Sequence, residues 1–127
     1  MTLTIRTEQL AVFAEVETKK FVDRMVIHLK KFFPEQCEVM DESQMGETIR
    51  YGIKRAAAYG ITIKRDVSKY VDVMVVFGRD FDRDPGLPWA RTILADAAAD
   101  PTVKVNRLYV TATDELEKGE ITLERAA

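Results

Sequence analysis

The chain predicts an all-α single domain, an irregular bundle of about five helices. Three observations point there. Apolar residues recur at helical spacing through nearly the whole sequence, cap and stop residues punctuate them, and no run keeps a clean strand alternation. The 127 residues are 46% apolar and 31% charged, which suits a folded domain with one sizeable core rather than a disordered chain. The expected domain is 1–127, with its core over about 7–118 and a flexible tail over 119–127.

In the first segment Leu10, Phe13, Phe21, Met25, Leu29 and Phe32 fall along one helical face, which Val22, Val26 and Phe33 widen. Thr7 is placed to cap it and Pro34 stops it, because proline lacks an amide hydrogen and disfavours helix in the residue before it. Lys19-Lys20 and Lys30-Lys31 belong on the water side. A second helix begins near Asp41, which with Gln44 has the form of a capping box. Ile49, Ile53, Ala56 and Ala57 form its inner face, and Arg50, Lys54 and Arg55 its outer one. Gly46 and Gly52 weaken it or allow a close helix crossing. Tyr59-Gly60-Ile61 ends it, with glycine left-handed and Ile61 packing back.

Thr62 is the expected cap of a third helix carrying Val67, Tyr70, Val71, Met74, Val75 and Gly78 on one face. The β-branched run from Val71 to Phe77 would also suit a strand, but Asp66 to Tyr70 keeps the helical phase. This element is the predicted centre of the core. Beyond an Asp/Pro/Gly loop, Pro88 opens a short helix with Ala90, Ile93 and Leu94 inward. Asp100-Pro101 starts the last helix, with Val105, Leu108, Tyr109, Ala112 and Leu116 as its stripe and Gly119 as its end.

A net charge of −2 gives no field to recruit nucleic acid or anionic membrane, so neither is an expected partner. The basic cluster Lys54, Arg55, Lys64, Arg65 and Lys69 reads as a solvated face. One cysteine, Cys37, rules out an internal disulfide and suits a reducing compartment. The opening residues show no secretory leader, and no apolar run approaches the roughly 20 residues that span a bilayer. A cytoplasmic protein is the expectation.

Chemistry concentrates between Gly60 and Trp89, where Asp80, Asp82 and Asp84 precede Pro85-Gly86-Leu87-Pro88-Trp89. The alternating aspartates resemble the start of a calcium-binding loop. That loop needs glycine at its sixth position and a bidentate glutamate at its twelfth, where this chain has Pro85 and Arg91. A plain loop, its aspartates capping turns or pairing with Arg79, Arg83 or Arg91, is preferred. A glycosidase pair drawn from Asp80, Asp82, Glu42 and Glu47 lacks anything that would bring its members together. His28, the sole histidine, reads as a half-buried side chain satisfied by one hydrogen bond. A Cys37–His28 nucleophilic pair spans a proline break with no oxyanion motif beside it. Phosphate-cradling glycine loops, the G-x-S-x-G elbow and the dinucleotide fingerprint are missing. No catalytic, cofactor or metal residue is therefore assigned.

The succession Phe32-Phe33-Pro34, Tyr59-Gly60-Ile61, Asp66-Val67, Tyr70, Met74, Gly78, Phe81-Asp82, Pro88-Trp89-Ala90 and Ile93-Leu94 resembles a group of small helical proteins. These are encoded beside effectors and spike components of bacterial type VI secretion systems. The resemblance covers roughly residues 7–116 and carries no catalytic motif. It implies an accessory, adaptor or chaperone-like protein whose partner is an effector or a secretion-spike component, and it transfers no functional residue.

The residues themselves favour a non-enzymatic binding module. The expected contact surface is the Gly78–Trp89 loop together with outward positions of neighbouring helices, with Phe81, Asp82, Asp84, Leu87 and Trp89 as partner-binding residues, tryptophan being either a core anchor or an interface hot spot. Two alternatives stand beside it: an immunity protein neutralising a cognate toxin, and a small metal-dependent hydrolase using Asp80–Asp84. The remaining apolar surface also allows a homodimer.

Overall fold

Pro34 has no amide hydrogen to donate, and Phe33 before it leaves the helical basin at φ −133° and ψ 56°. In the computed structural model, which describes residues 15–126, the helix before this break is α1, Glu15–Phe32. The cap expected at Thr7 and the stripe positions Leu10 and Phe13 lie outside the described residues. A single turn, α2 (Pro34–Cys37), follows at once, with proline in its first turn. It adds a sixth helix to the five that the sequence separates.

Helix α3 (Glu42–Ala58) starts as its sequence predicts. Gln44 N donates to Asp41 Oδ1 at 2.8 Å, and Asp41 N donates to Gln44 Oε1 at 3.0 Å. It stops at Gly60, whose φ of 81° is a left-handed value that costs glycine little. Ile61 N then donates to Ala56 O at 3.0 Å while the Ile61 side chain is fully buried.

Helix α4 (Lys64–Phe77) begins one residue later than a Thr62 cap requires. Ile63 is its N-cap and makes no side-chain cap bond, so Thr62 stands too far back to reach the first amides. Val67, Tyr70, Val71, Val73 and Met74 are buried, and α4 packs against α1, α3 and α6, confirming it as the central helix. Gly52 of α3 is what lets α3 approach it. A Cβ there would stand 2.9 Å from both Val71 Cγ2 and Met74 Cε, closer than side chains tolerate.

Gly78, at φ 117°, ends α4 and turns the chain into a 3-10 turn (Phe81–Arg83) and α5 (Pro88–Leu94). The last helix, α6, runs Pro101–Ala126. Asp100 caps it, its Oδ1 accepting from Thr102 N at 2.9 Å. Gly119 does not end it as predicted: within a helix glycine costs about 1 kcal/mol relative to alanine, which weakens but does not stop it. Among the described residues there is no strand, and the architecture is an irregular all-α bundle.

Three apolar positions depart from their stripes. Phe32 is 59% exposed, lying beside the His28 ring rather than inward. Tyr109 and Leu116 are 38% and 41% exposed.

Candidate functional site

The loop after Gly78 was the sequence's leading candidate, and the 3-10 turn decides where its residues go. With three residues per turn, positions two apart are rotated by about 240°, so alternate aspartates cannot share a face. Asp82 turns inward, and its Oδ2 accepts from Arg55 Nε at 3.1 Å, Arg55 Nη2 at 2.5 Å and Tyr59 Oη at 2.6 Å. A buried carboxylate requires such donors, which is why Arg55, predicted to face water, folds back instead. Burial and the adjoining Asp82 carboxylate push the Tyr59 phenol up. Phe81 follows Asp82 inward and packs on Tyr70 with ring centroids 5.1 Å apart. Each is 1% exposed, so Phe81 and Asp82 belong to the body and are not offered to a partner.

Asp80 stays outside, accepting from Tyr51 Oη at 2.5 Å and Arg83 Nη2 at 2.9 Å, and these bonds hold its carboxyl below the usual range. Asp84 bends back to its own turn, accepting from Gly86 N at 2.8 Å. The three carboxylates thus serve three separate sets of donors. Among the described residues no three His, Cys, Asp or Glu side chains gather around a point that would suit an ion. Glu42 is no nearer to Asp82, because it starts α3 where it binds Lys30 at 2.7 Å, whereas Arg55 lies about 20 Å along the same helix. Trp89 sets its ring edge-on to Phe77 at 5.2 Å, anchoring the loop, while Leu87 is half-buried and Asp84 exposed.

A second polar centre joins α1 to α4. His28 Nε2 lies 2.9 Å from Asp72 Oδ1, a pair half-buried between the helices. The single hydrogen bond expected for His28 is present, but its partner was missed. The available signal was a carboxylate at position 72 inside the apolar run from Tyr70 to Phe77, which had to find a donor once buried. Burial raises the Asp72 carboxyl, and the nearby imidazole opposes that rise. Cys37 does not complete this centre: its thiol is buried and pushed up, the wrong direction for a nucleophile. Four members of the basic cluster have their own partners, Arg55 on Asp82, Lys64 on Glu17, Arg65 on Asp66 and Lys69 on Asn106.

The third feature is the length of α6. Thr102 Oγ1 donates to Asp66 Oδ2 and Lys69 Nζ to Asn106 Oδ1, so α6 runs parallel to α4 with its residues numbered 36 to 37 higher at the same level. On that offset Phe77, the last residue of α4, corresponds to residues 113–114 of α6. The remainder of α6, to Ala126, overruns α4 by about 20 Å. Ala112 is the last α6 residue buried among those whose side chains are described. Tyr109 and Leu116 stand seven apart, and the sequence repeats the spacing at Leu123. This stretch is acidic: Asp114, Glu115, Glu117, Glu120 and Glu124 face only Lys118 and Arg125 in composition.

No known protein family, curated protein or solved structure matches the chain.

Proposed function

We propose that this protein is a non-enzymatic protein-binding module that presents the overrunning end of α6 to a partner. The observation that carries the reading is the exposed Leu116, one heptad on from the exposed Tyr109, on the part of α6 that continues past the end of α4. An apolar line of this kind on a projecting helix gains most by entering a groove or pairing with another helix. The acidic flanks favour a partner whose contact surface is basic. The role that the sequence resemblance implies, an adaptor or chaperone-like accessory to a secreted effector or spike component, is the form of binding we assign. The same acidity suits the second reading, an immunity protein held against a basic toxin surface.

The loop from Gly78 then acts chiefly as a clamp that holds α4 and α5 together, with exposed Asp84 at its rim. Affinity capture from the native host, comparing the full chain with Leu116→Asp, tests the proposal. Partners identified by mass spectrometry with the parent chain should be lost with the variant, while its thermal midpoint stays unchanged. Equal recovery of the same partner by both chains would refute it.

A further inference from the structure

The structure assigns a second, separate site: the cleft between α1 and α4, which we infer binds a compact organic anion, a carboxylate or phosphate borne on an apolar body. Between the two helices lies a cavity of about 350 Å³. Phe21 and Met25, both buried, form an apolar floor. Arg24 and His28 line it from α1, and Lys64 and Arg65 from α4. Positions 21, 24, 25 and 28 share one helical face, so the sequence period itself puts the cations beside the apolar floor.

The carboxylates near the cleft are of two kinds. Asp66 and Asp72 are buried and committed, Asp66 to Thr102 Oγ1 at 2.6 Å and Arg65 Nε at 3.4 Å, and Asp72 to His28. Glu17 is partly exposed, and its carboxylate is held by Lys64 Nζ at 2.5 Å with Lys20 Nζ at 4.0 Å. Lys64 above all, then Lys20 and Arg24, keep that carboxyl below the usual range. The protein's own carboxylate thus shows which chemistry these cations accept. It rests on a flexible side chain that an incoming anion can replace at Lys64. His28 completes the wall: Asp72 fixes its ring, and its Nδ1 makes no hydrogen bond among the described residues.

The test is calorimetric titration of the full chain with phenyl phosphate, benzoate, inorganic phosphate and phenol, with the His28 ring followed by NMR. Saturable binding of phenyl phosphate or benzoate that shifts the His28 ring signals is expected; which of the two binds more tightly identifies the preferred head group. Inorganic phosphate should bind more weakly for want of an apolar body, and phenol should not bind. Arg24→Ala should weaken binding about tenfold by removing a charge-assisted contact. Glu17→Gln should tighten it about threefold or more by removing the competing carboxylate. Both side chains lie at the surface, and unchanged thermal unfolding verifies that both variants fold. Absence of saturation by either aromatic anion up to about 10 mM would overturn the inference. So would equal binding of phenol, or the same affinity in the parent, Arg24→Ala and Glu17→Gln chains.

Discussion

Arg55 reaches from α3 across to Asp82 in the 3-10 turn, its Nε and Nη2 both donating to the same carboxylate oxygen at 3.1 and 2.5 Å. Because the carboxylate is buried, removing it strands a guanidinium and a phenol that were arranged around it. Asp82→Ala is expected to destabilise the fold by about 3 kcal/mol, the usual scale for breaking a buried pair from one side. Thermal unfolding should show a midpoint lower by about 10 °C. Asp80→Ala, on the exposed side of the same loop, should leave the midpoint nearly unchanged.

Tyr70 poses the opposite case. Its hydroxyl is buried and has no hydrogen-bond partner among the described residues. Tyr70→Phe removes a desolvated group and keeps the ring contacts with Tyr59 and Phe81. It should therefore be neutral or stabilising by up to about 1 kcal/mol in urea unfolding. A loss larger than that would show that the hydroxyl is bonded.

The two glycines of α3 should answer differently to alanine. At Gly46 the nearest side-chain atom to an added Cβ is Val22 Cγ1 at 3.8 Å, ordinary contact, so Gly46→Ala should stabilise by about 0.5–1 kcal/mol through helix propensity. At Gly52 the same change drives a methyl into Val71 and Met74 at 2.9 Å. Gly52→Ala should destabilise by about 1–3 kcal/mol. Chemical denaturation of the two variants checks the signs.

Alkaline pH should loosen the fold through its tyrosines. Burial raises both Tyr59 and Tyr70, and the Asp82 carboxylate adds to the rise. A phenol whose folded value is raised contributes stability that is complete below the unfolded value and is lost as pH climbs through the folded one. Unfolding free energy should accordingly fall above about pH 10, and fall less steeply in Tyr59→Phe. A pH dependence identical in parent and variant would contradict the assignment.

Several single-residue signals in the sequence were reliable, although Thr62 did not cap α4 and Gly119 did not end α6. Asp41 with Gln44, Gly60, and Asp100 before Pro101 each act on their own turn, and each does in the structure what its chemistry predicts. The periodic apolar stripe likewise located α4 as the core helix. What stayed hidden depends on partners distant in sequence. Arg55 has an outward helical phase, and only the buried Asp82 turns it inward. Asp72 breaks an apolar run, but nothing local names His28 as its donor. The candidate surface moved for the same reason: Phe81 and Asp82 are the loop's most conspicuous residues because the body needs them inside. The stripe position Leu116 looked like core because periodicity does not reveal where the neighbouring helix ends.

The proposal that the end of α6 is a presented binding helix is tested most directly by ending the chain after residue 113, level with Phe77. The shortened protein should keep its helical spectrum and unfold within a few degrees of the parent, since no described side chain beyond Ala112 is buried. Its affinity for the partner captured by the full chain should fall at least about a hundredfold. Undiminished binding by a folded, shortened chain would contradict the account.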